Sequence, residues 1–122
     1  MQTYGSSQAG GVLTALWPGD RLTLFDGTET PVAGLTSLAF CRAEGPGGMD
    51  NGVTFQIIGV VAGSVVKIQG ANADVEADYQ DIWTTTGALA LDNYTDTTRW
   101  AYYRAKLTSY TSGAMPKVLV QR

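Results

Sequence analysis

The stretch VTFQIIGVVAGSVVKIQGAN, residues 53–72, decides the fold class. It consists of two apolar runs that are rich in β-branched residues and separated by Gly63-Ser64. In both runs the apolar residues occupy alternate positions, namely Val53, Phe55 and Ile57, then Val66 and Ile68. Because successive side chains of a strand point to opposite faces, this alternation predicts two strands with one buried face each. Gly63-Ser64 suits a type II′ turn, so the stretch predicts a β-hairpin.

The rest of the chain continues this pattern of short apolar segments separated by turn residues. Asp26-Gly27 predicts another hairpin turn, Asp92-Asn93 predicts a further turn, and Pro31 is expected at or just outside a sheet edge. The helical period is absent, and closely spaced strands with intervening turns are typical of a sandwich or barrel. We therefore predict an all-β fold, an antiparallel β-sandwich or jelly-roll-like barrel, as a single domain over residues 12–122. Residues 1–11, rich in Gly, Ser and Gln, predict a flexible N-terminal arm.

The chain carries few charges, which bears on its partners. Charged residues make up 16% of the 122 residues, against roughly 25% in an average soluble domain, and the formal net charge is −3. A surface made largely of uncharged polar residues favours close contact with another protein. The Lys and Arg residues do not cluster, so we expect no nucleic-acid partner. The longest uncharged apolar stretch, residues 53–66, is short and interrupted, so we expect no membrane partner.

The N terminus and the cysteine content indicate the compartment of synthesis. The first residues have neither the positive region nor the apolar region of a secretory signal. The single cysteine, Cys41, cannot form an intramolecular disulfide. We therefore expect synthesis in the cytoplasm.

The residue content argues against most catalytic systems. Histidine is absent, which excludes Ser-His-Asp and Cys-His nucleophilic systems and histidine-based zinc sites. Cys41 lies on a predicted apolar strand, and we interpret it as a buried structural thiol. The aspartates lie mostly in turns, where they bond to local backbone, which disfavours a catalytic carboxylate pair. We expect a protein that is not an enzyme and binds no cofactor.

One acidic segment raises the question of a metal. Oxygen-bearing side chains alternate along residues 72–78, at Asn72, Asp74, Glu76 and Asp78. An EF-hand counted from Asn72 requires Gly at the sixth position and Glu at the twelfth, where this chain has Ala77 and Trp83. We interpret the segment as a solvated acidic loop and expect no metal, while a calcium site of another kind stays open.

Aromatic residues concentrate in the last third of the chain, at Trp83, Tyr94, Trp100, Tyr102, Tyr103 and Tyr110. Such residues fill sandwich cores and protein interfaces, although aromatic platforms also stack on sugars. Along the closing strand, the alternation predicts one shared face for Trp100, Tyr102, Arg104 and Lys106, and we interpret this face as a subunit or partner interface. Arg104 is predicted either to anchor a sheet–sheet or subunit contact or to lie half-exposed over Tyr102.

Several short motifs resemble those of small β-sandwich accessory proteins of tailed-phage virions. The motifs are V-x-I-Q-G at residues 66–70, a Trp on the next strand at Trp83, Y-x-R-A-x-L-T at residues 102–108, and a turn at Ser112-Gly113. The resemblance covers residues 53–120. It implies a β-sandwich that acts as a capsid decoration (cement) protein or as a head-fibre or tail-fibre component, commonly trimeric.

The resemblance also implies a partner, a location and a binding segment. We expect the protein on the capsid exterior of the virion, bound to the major capsid protein through the predicted interface. In such proteins an N-terminal arm often lies over the shell, which gives Gln2, Thr3 and Tyr4 a role in capsid binding. The alternative is a carbohydrate-binding β-sandwich on a head or tail fibre that uses Trp83, Trp100 or Tyr102.

Overall fold

A computed structural model describes residues 2–5, 12–42, 52–59, 64–85, 91–98, 100–111 and 113–122, with side chains from residue 14 onward. Its strands are β1 (Gln2–Gly5), β2 (Val12–Leu16), β3 (Arg21–Asp26), β4 (Leu35–Thr36), β5 (Phe40–Arg42), β6 (Val53–Ile58), β7 (Val65–Ala71), β8 (Gln80–Thr84), β9 (Leu91–Asp96), β10 (Tyr102–Ser109) and β11 (Lys117–Gln121). A single 3-10 turn, Glu76–Asp78, is the one helical element among the described residues. The prediction of an all-β fold is confirmed.

The strands form two packed sheets, so the fold is a sandwich. The large sheet has seven strands in the order β1-β2-β5-β10-β7-β8, with β4 also paired to β10. The small sheet has four strands in the order β3-β11-β6-β9. The described pairings are antiparallel except for the parallel pair β2 and β5.

The hairpin predicted within residues 53–72 is wrong, although both of its strands exist. β6 lies in the small sheet between β11 and β9, whereas β7 lies in the large sheet between β10 and β8. The fully buried faces of the two strands contribute to the same core from opposite sides. An alternating pattern requires only that one face of each strand be buried, and a crossing between sheets meets this requirement as well as a hairpin does. Gly63, the first residue of the predicted turn, lies outside the described residues.

The two turns predicted at Asp26-Gly27 and at Asp92-Asn93 differ in what the structure shows. Asp26-Gly27 does end a strand, and Gly27 has a φ of 90°, but β3 pairs with β11 and forms no hairpin with the next strand. Asp92-Asn93 lies inside β9, where it pairs with β6, so the predicted turn is wrong. Pairing to a neighbouring strand overrides the local preference of these residues for turns. Pro31 lies between β3 and β4, outside the strands, as predicted.

The core between the sheets is built around aromatic rings. The Tyr103 ring stacks on Phe40 at 5.4 Å between centroids and lies 5.7 Å from Phe55. At one side of the sandwich, Trp83 of β8 stacks on Tyr94 of β9 at 5.4 Å, which joins the edge strands of the two sheets. Much of the aromatic content noted in the sequence is therefore used in packing.

The N-terminal segment is partly a strand. The sequence predicts a flexible arm over residues 1–11, whereas the structure places Gln2–Gly5 in β1, paired antiparallel with β2. In this register Gln2 is opposite Ala15, Thr3 opposite Thr14, and Tyr4 opposite Leu13. Pairing with an edge strand satisfies backbone groups that a free arm would leave to water. The remaining residues of the predicted arm lie outside the described residues.

Candidate functional site

Three of the four residues of the predicted interface lie on the outer face of the large sheet. On β10 the alternate residues Tyr103, Ala105 and Leu107 are fully buried in the core. The intervening residues Tyr102, Arg104 and Lys106 therefore point away from the core. Tyr102 and Lys106 are half-buried there.

Arg104 is held by residues of its own chain. Its Nη1 and Nη2 donate to the Glu76 carboxylate at 2.6 and 2.9 Å, and its Nε donates to Gln69 Oε1 at 2.8 Å. The guanidinium carbon also lies 3.9 Å from the centre of the Tyr79 ring. Arg104 is only 7% exposed. The side chain neither spans the two sheets nor lies over Tyr102, and it fastens the 3-10 turn to the large sheet.

The carboxylates of Glu76 and Asp81 also accept hydrogen bonds from side chains of the same chain. The hydrogen bond from Arg104 lowers the pKa of Glu76. Asp81 accepts from Gln69 Nε2 at 2.8 Å and from Lys67 Nζ at 2.7 Å, and these bonds lower its pKa. Two ion pairs, Arg104–Glu76 and Lys67–Asp81, therefore form within the chain on this side of the large sheet.

In the acidic segment of residues 72–78, two of the oxygen-bearing side chains already accept hydrogen bonds from other residues of the chain. Asp74 accepts a hydrogen bond from the Tyr79 hydroxyl at 2.7 Å, and Glu76 is paired with Arg104. Burial, followed by this bond to Asp74, raises the pKa of Tyr79. Within the described residues, no group of three His, Cys, Asp or Glu side chains is placed to hold a metal ion.

Cys41 is less buried than predicted. It pairs with Tyr102 and therefore faces away from the core, where it is half-buried, while its neighbour Phe40 is fully buried. Partial burial raises the pKa of the Cys41 thiol, which favours the protonated, unreactive form.

Trp100 does not share the face of Arg104, contrary to the prediction. It precedes β10, and its ring lies on the core-facing side of Gly70, where an added Cβ would come 2.6 Å from the Trp100 Cγ. The backbone N–H of Trp100 donates to the Tyr103 hydroxyl at 3.1 Å. The chain bends before β10, so the alternation within the strand does not extend back to Trp100.

The outer face of the small sheet is a second surface, which the sequence did not reveal. A groove of about 610 Å³ runs over it. Its outward-facing residues, termed the small-sheet face, are Arg21, Thr23, Thr54, Gln56, Asn93, Leu119 and Gln121.

The strand register arranges the residues of the small-sheet face in rows across the sheet. Gln56 lies between Asn93 and Leu119 in one row, and Thr54 lies beside Gln121 in the next. Arg21 is the one charged residue among those that line the groove, and Lys117 lies beyond the groove on the same side of β11. The residues come from strands β3, β11, β6 and β9, which are far apart in sequence. The sequence therefore shows the alternating polar positions within each strand, but it does not show that these strands are neighbours.

The described residues contain no helix with the length and hydrophobicity that a membrane span requires. Compared with protein-family models, curated proteins and solved structures, the chain matches none.

Proposed function

We propose that this protein is a non-enzymatic structural component of a tailed-phage virion, a decoration protein that binds the major capsid protein on the capsid exterior and stabilises the shell. The resemblance of residues 53–120 to virion accessory proteins suggests this role. The observation that carries it is the small-sheet face, a nearly uncharged surface of hydroxyls and amides presented by four adjacent strands.

The chemistry of the small-sheet face suits docking on another protein. Amides and hydroxyls exchange hydrogen bonds with a partner without the desolvation cost that burying charges carries. Leu119 adds apolar area in the middle of one row. At the usual strand spacing, four strands are about 14 Å wide. The area of one such face is therefore small compared with the roughly 800 Å² that each partner buries in a standard interface. Many copies on one shell, and a trimer of the protein itself, would add avidity to a weak single contact.

The N-terminal strand offers a second contact. Within the described residues β1 pairs only with β2, so its outer edge is open to strand addition by another chain. This edge carries Gln2, Thr3 and Tyr4, the residues expected to bind the capsid. Strand addition supplies backbone hydrogen bonds that do not depend on a particular side-chain motif.

The ionisable groups support binding more than catalysis. The pKa of Glu76 and of Asp81 is lowered by hydrogen bonds, and the pKa of Tyr94 is raised to about 12 by burial and by its bond to Asp96. Each shift strengthens the ordinary protonation state at neutral pH. A general acid or base needs the opposite, a pKa moved toward the working pH.

Co-sedimentation with purified capsids tests the proposal. The protein is expected to pellet with expanded capsids and to stay in the supernatant with unassembled capsid subunits. Thr54→Glu places a charge on the small-sheet face and is expected to weaken binding at least tenfold. Thr84→Glu changes a strand threonine that is also exposed, on β8 of the large sheet, and it is the matched control that is expected to bind normally. Equal binding by the two variants would contradict docking through the small-sheet face.

Deletion of residues 1–5 tests the contribution of β1. Within the described residues β1 is the last strand of the large sheet and pairs only with β2, so the variant is expected to keep its circular dichroism spectrum and to bind capsids less tightly. Unweakened binding would remove β1 from the interface. Sedimentation equilibrium of the intact protein tests the trimer, for which a mass of one chain would be the opposing result.

A further inference from the structure

A small pocket lies at the end of the large sheet, where β7 finishes and β8 begins. It has a volume of about 260 Å³ and is lined by Asn72, Ala77, Asp78, Gln80 and Trp100. It is separate from the small-sheet face, since the two share no lining residue. Its size suits a small polar ligand, because pockets for drug-sized molecules start at about 300 Å³.

Trp100 is fixed in place on one side of this pocket. Its ring rests on Gly70, where no side chain separates the two, and its backbone N–H donates to the Tyr103 hydroxyl. That hydroxyl in turn donates to Asp96. The indole is half-buried. A ring held in this way needs no reordering before it receives a ligand.

Three polar side chains complete the pocket. Asn72, Asp78 and Gln80 are exposed, and the structure gives none of their side chains a hydrogen bond to another described residue. Together they present two amides and a carboxylate beside the indole. This set can donate to and accept from neighbouring hydroxyl groups, and the part of the Trp100 indole that lines the pocket adds an apolar contact beside them.

We propose that this pocket binds one unit of a neutral sugar within a glycan. A pyranose combines vicinal hydroxyls with C–H groups, and the pocket offers three polar side chains for the hydroxyls and the lining part of Trp100 for a C–H contact. The negative charge selects a neutral sugar over an acidic one, because the Asp78 carboxylate lies in the pocket and the chain has a net charge of −3. The site goes beyond capsid binding, since a decoration protein with a glycan pocket could attach the particle to a host surface.

A glycan array tests the proposal. The intact protein is expected to bind neutral hexose or N-acetylhexosamine glycans and to bind sialylated and uronic-acid glycans more weakly. Absence of binding to neutral glycans, or a preference for acidic ones, would overturn it. The outcome is independent of capsid co-sedimentation, which depends on the small-sheet face, so failure of one proposal is distinguishable from failure of the other.

Variants then assign the binding to the pocket. Gln80→Ala and Asp78→Ala change exposed side chains and are each expected to lower the affinity for the bound glycan about tenfold, the loss of one good hydrogen bond. Trp100→Phe, which retains an aromatic ring, is expected to lose less affinity than Trp100→Ala. Gln121→Ala on the small-sheet face is the matched control. Binding that survives both Gln80→Ala and Asp78→Ala unchanged would place the glycan elsewhere.

Discussion

Removal of the Tyr103 hydroxyl tests how the end of the core is organised. Asp96 is only 2% exposed and accepts hydrogen bonds from the hydroxyls of Tyr103 and Tyr94 and from the N–H and Oγ1 of Thr98. The Tyr103 hydroxyl also accepts the bond from the Trp100 N–H. It therefore connects a buried carboxylate to the backbone that positions Trp100.

Tyr103→Phe keeps the ring and removes only these two bonds. The packing against Phe40 and Phe55 is retained. A hydrogen bond to a charged group contributes about 1.5–3 kcal/mol, and a neutral one about 0.5–1.5 kcal/mol. The sum gives an expected loss in the free energy of unfolding of about 2–4.5 kcal/mol.

Urea denaturation followed by tryptophan fluorescence measures this loss. Tyr110→Phe is the matched control, because the Tyr110 hydroxyl donates to the Gly113 carbonyl at an exposed position, and it is expected to cost less than about 1 kcal/mol. A Tyr103→Phe variant as stable as the Tyr110→Phe variant would refute the description of Asp96 as a buried carboxylate that depends on its tyrosine donors.

Other contacts lead to further expectations. Arg104→Ala is expected to lower the free energy of unfolding by about 2 kcal/mol or more and to leave the mass in light scattering unchanged, because its bonds lie within the chain; a fall in mass would indicate a subunit contact. Because Arg104 lowers the pKa of Glu76 from 4.5, the stability it supplies is present above pH 4.5 and lost as pH falls through the lower folded-state pKa. The free energy of unfolding should differ less between pH 7 and pH 3 in Glu76→Gln than in the unchanged protein. An equal difference in the two proteins would contradict this. Gly70→Ala should displace Trp100 and cost about 1–3 kcal/mol, and an unaltered emission spectrum and stability would count against that packing. Since Tyr94 has its pKa raised to about 12, absorbance at 295 nm should register its ionisation well above pH 10, and complete tyrosine titration near pH 10 in the folded protein would disagree.

Period-two alternation is the feature of the sequence that predicted structure best. It predicted the buried faces of β6 and β7 and the shared face of Tyr102, Arg104 and Lys106. It did so because burial of one strand face depends on residues i and i+2, which are visible in a single strand. The absence of long helices among the described residues follows from the same local information.

Contacts between distant segments could not be predicted in this way. Glu76 and Arg104 are 28 positions apart, and their pairing depends on how the chain after β7 returns over the large sheet. The assignment of β6 and β7 to different sheets is hidden for the same reason, because either arrangement buries the same side chains. The small-sheet face requires the order of four strands, which no local pattern contains.

Electron cryomicroscopy of expanded capsids incubated with the protein tests the central claim most directly. The proposed function predicts added density on the outside of the shell, fitted by the sandwich with Thr54 and Gln56 toward the major capsid protein. Capsids without added density, or density in which this face points to solvent, would contradict it.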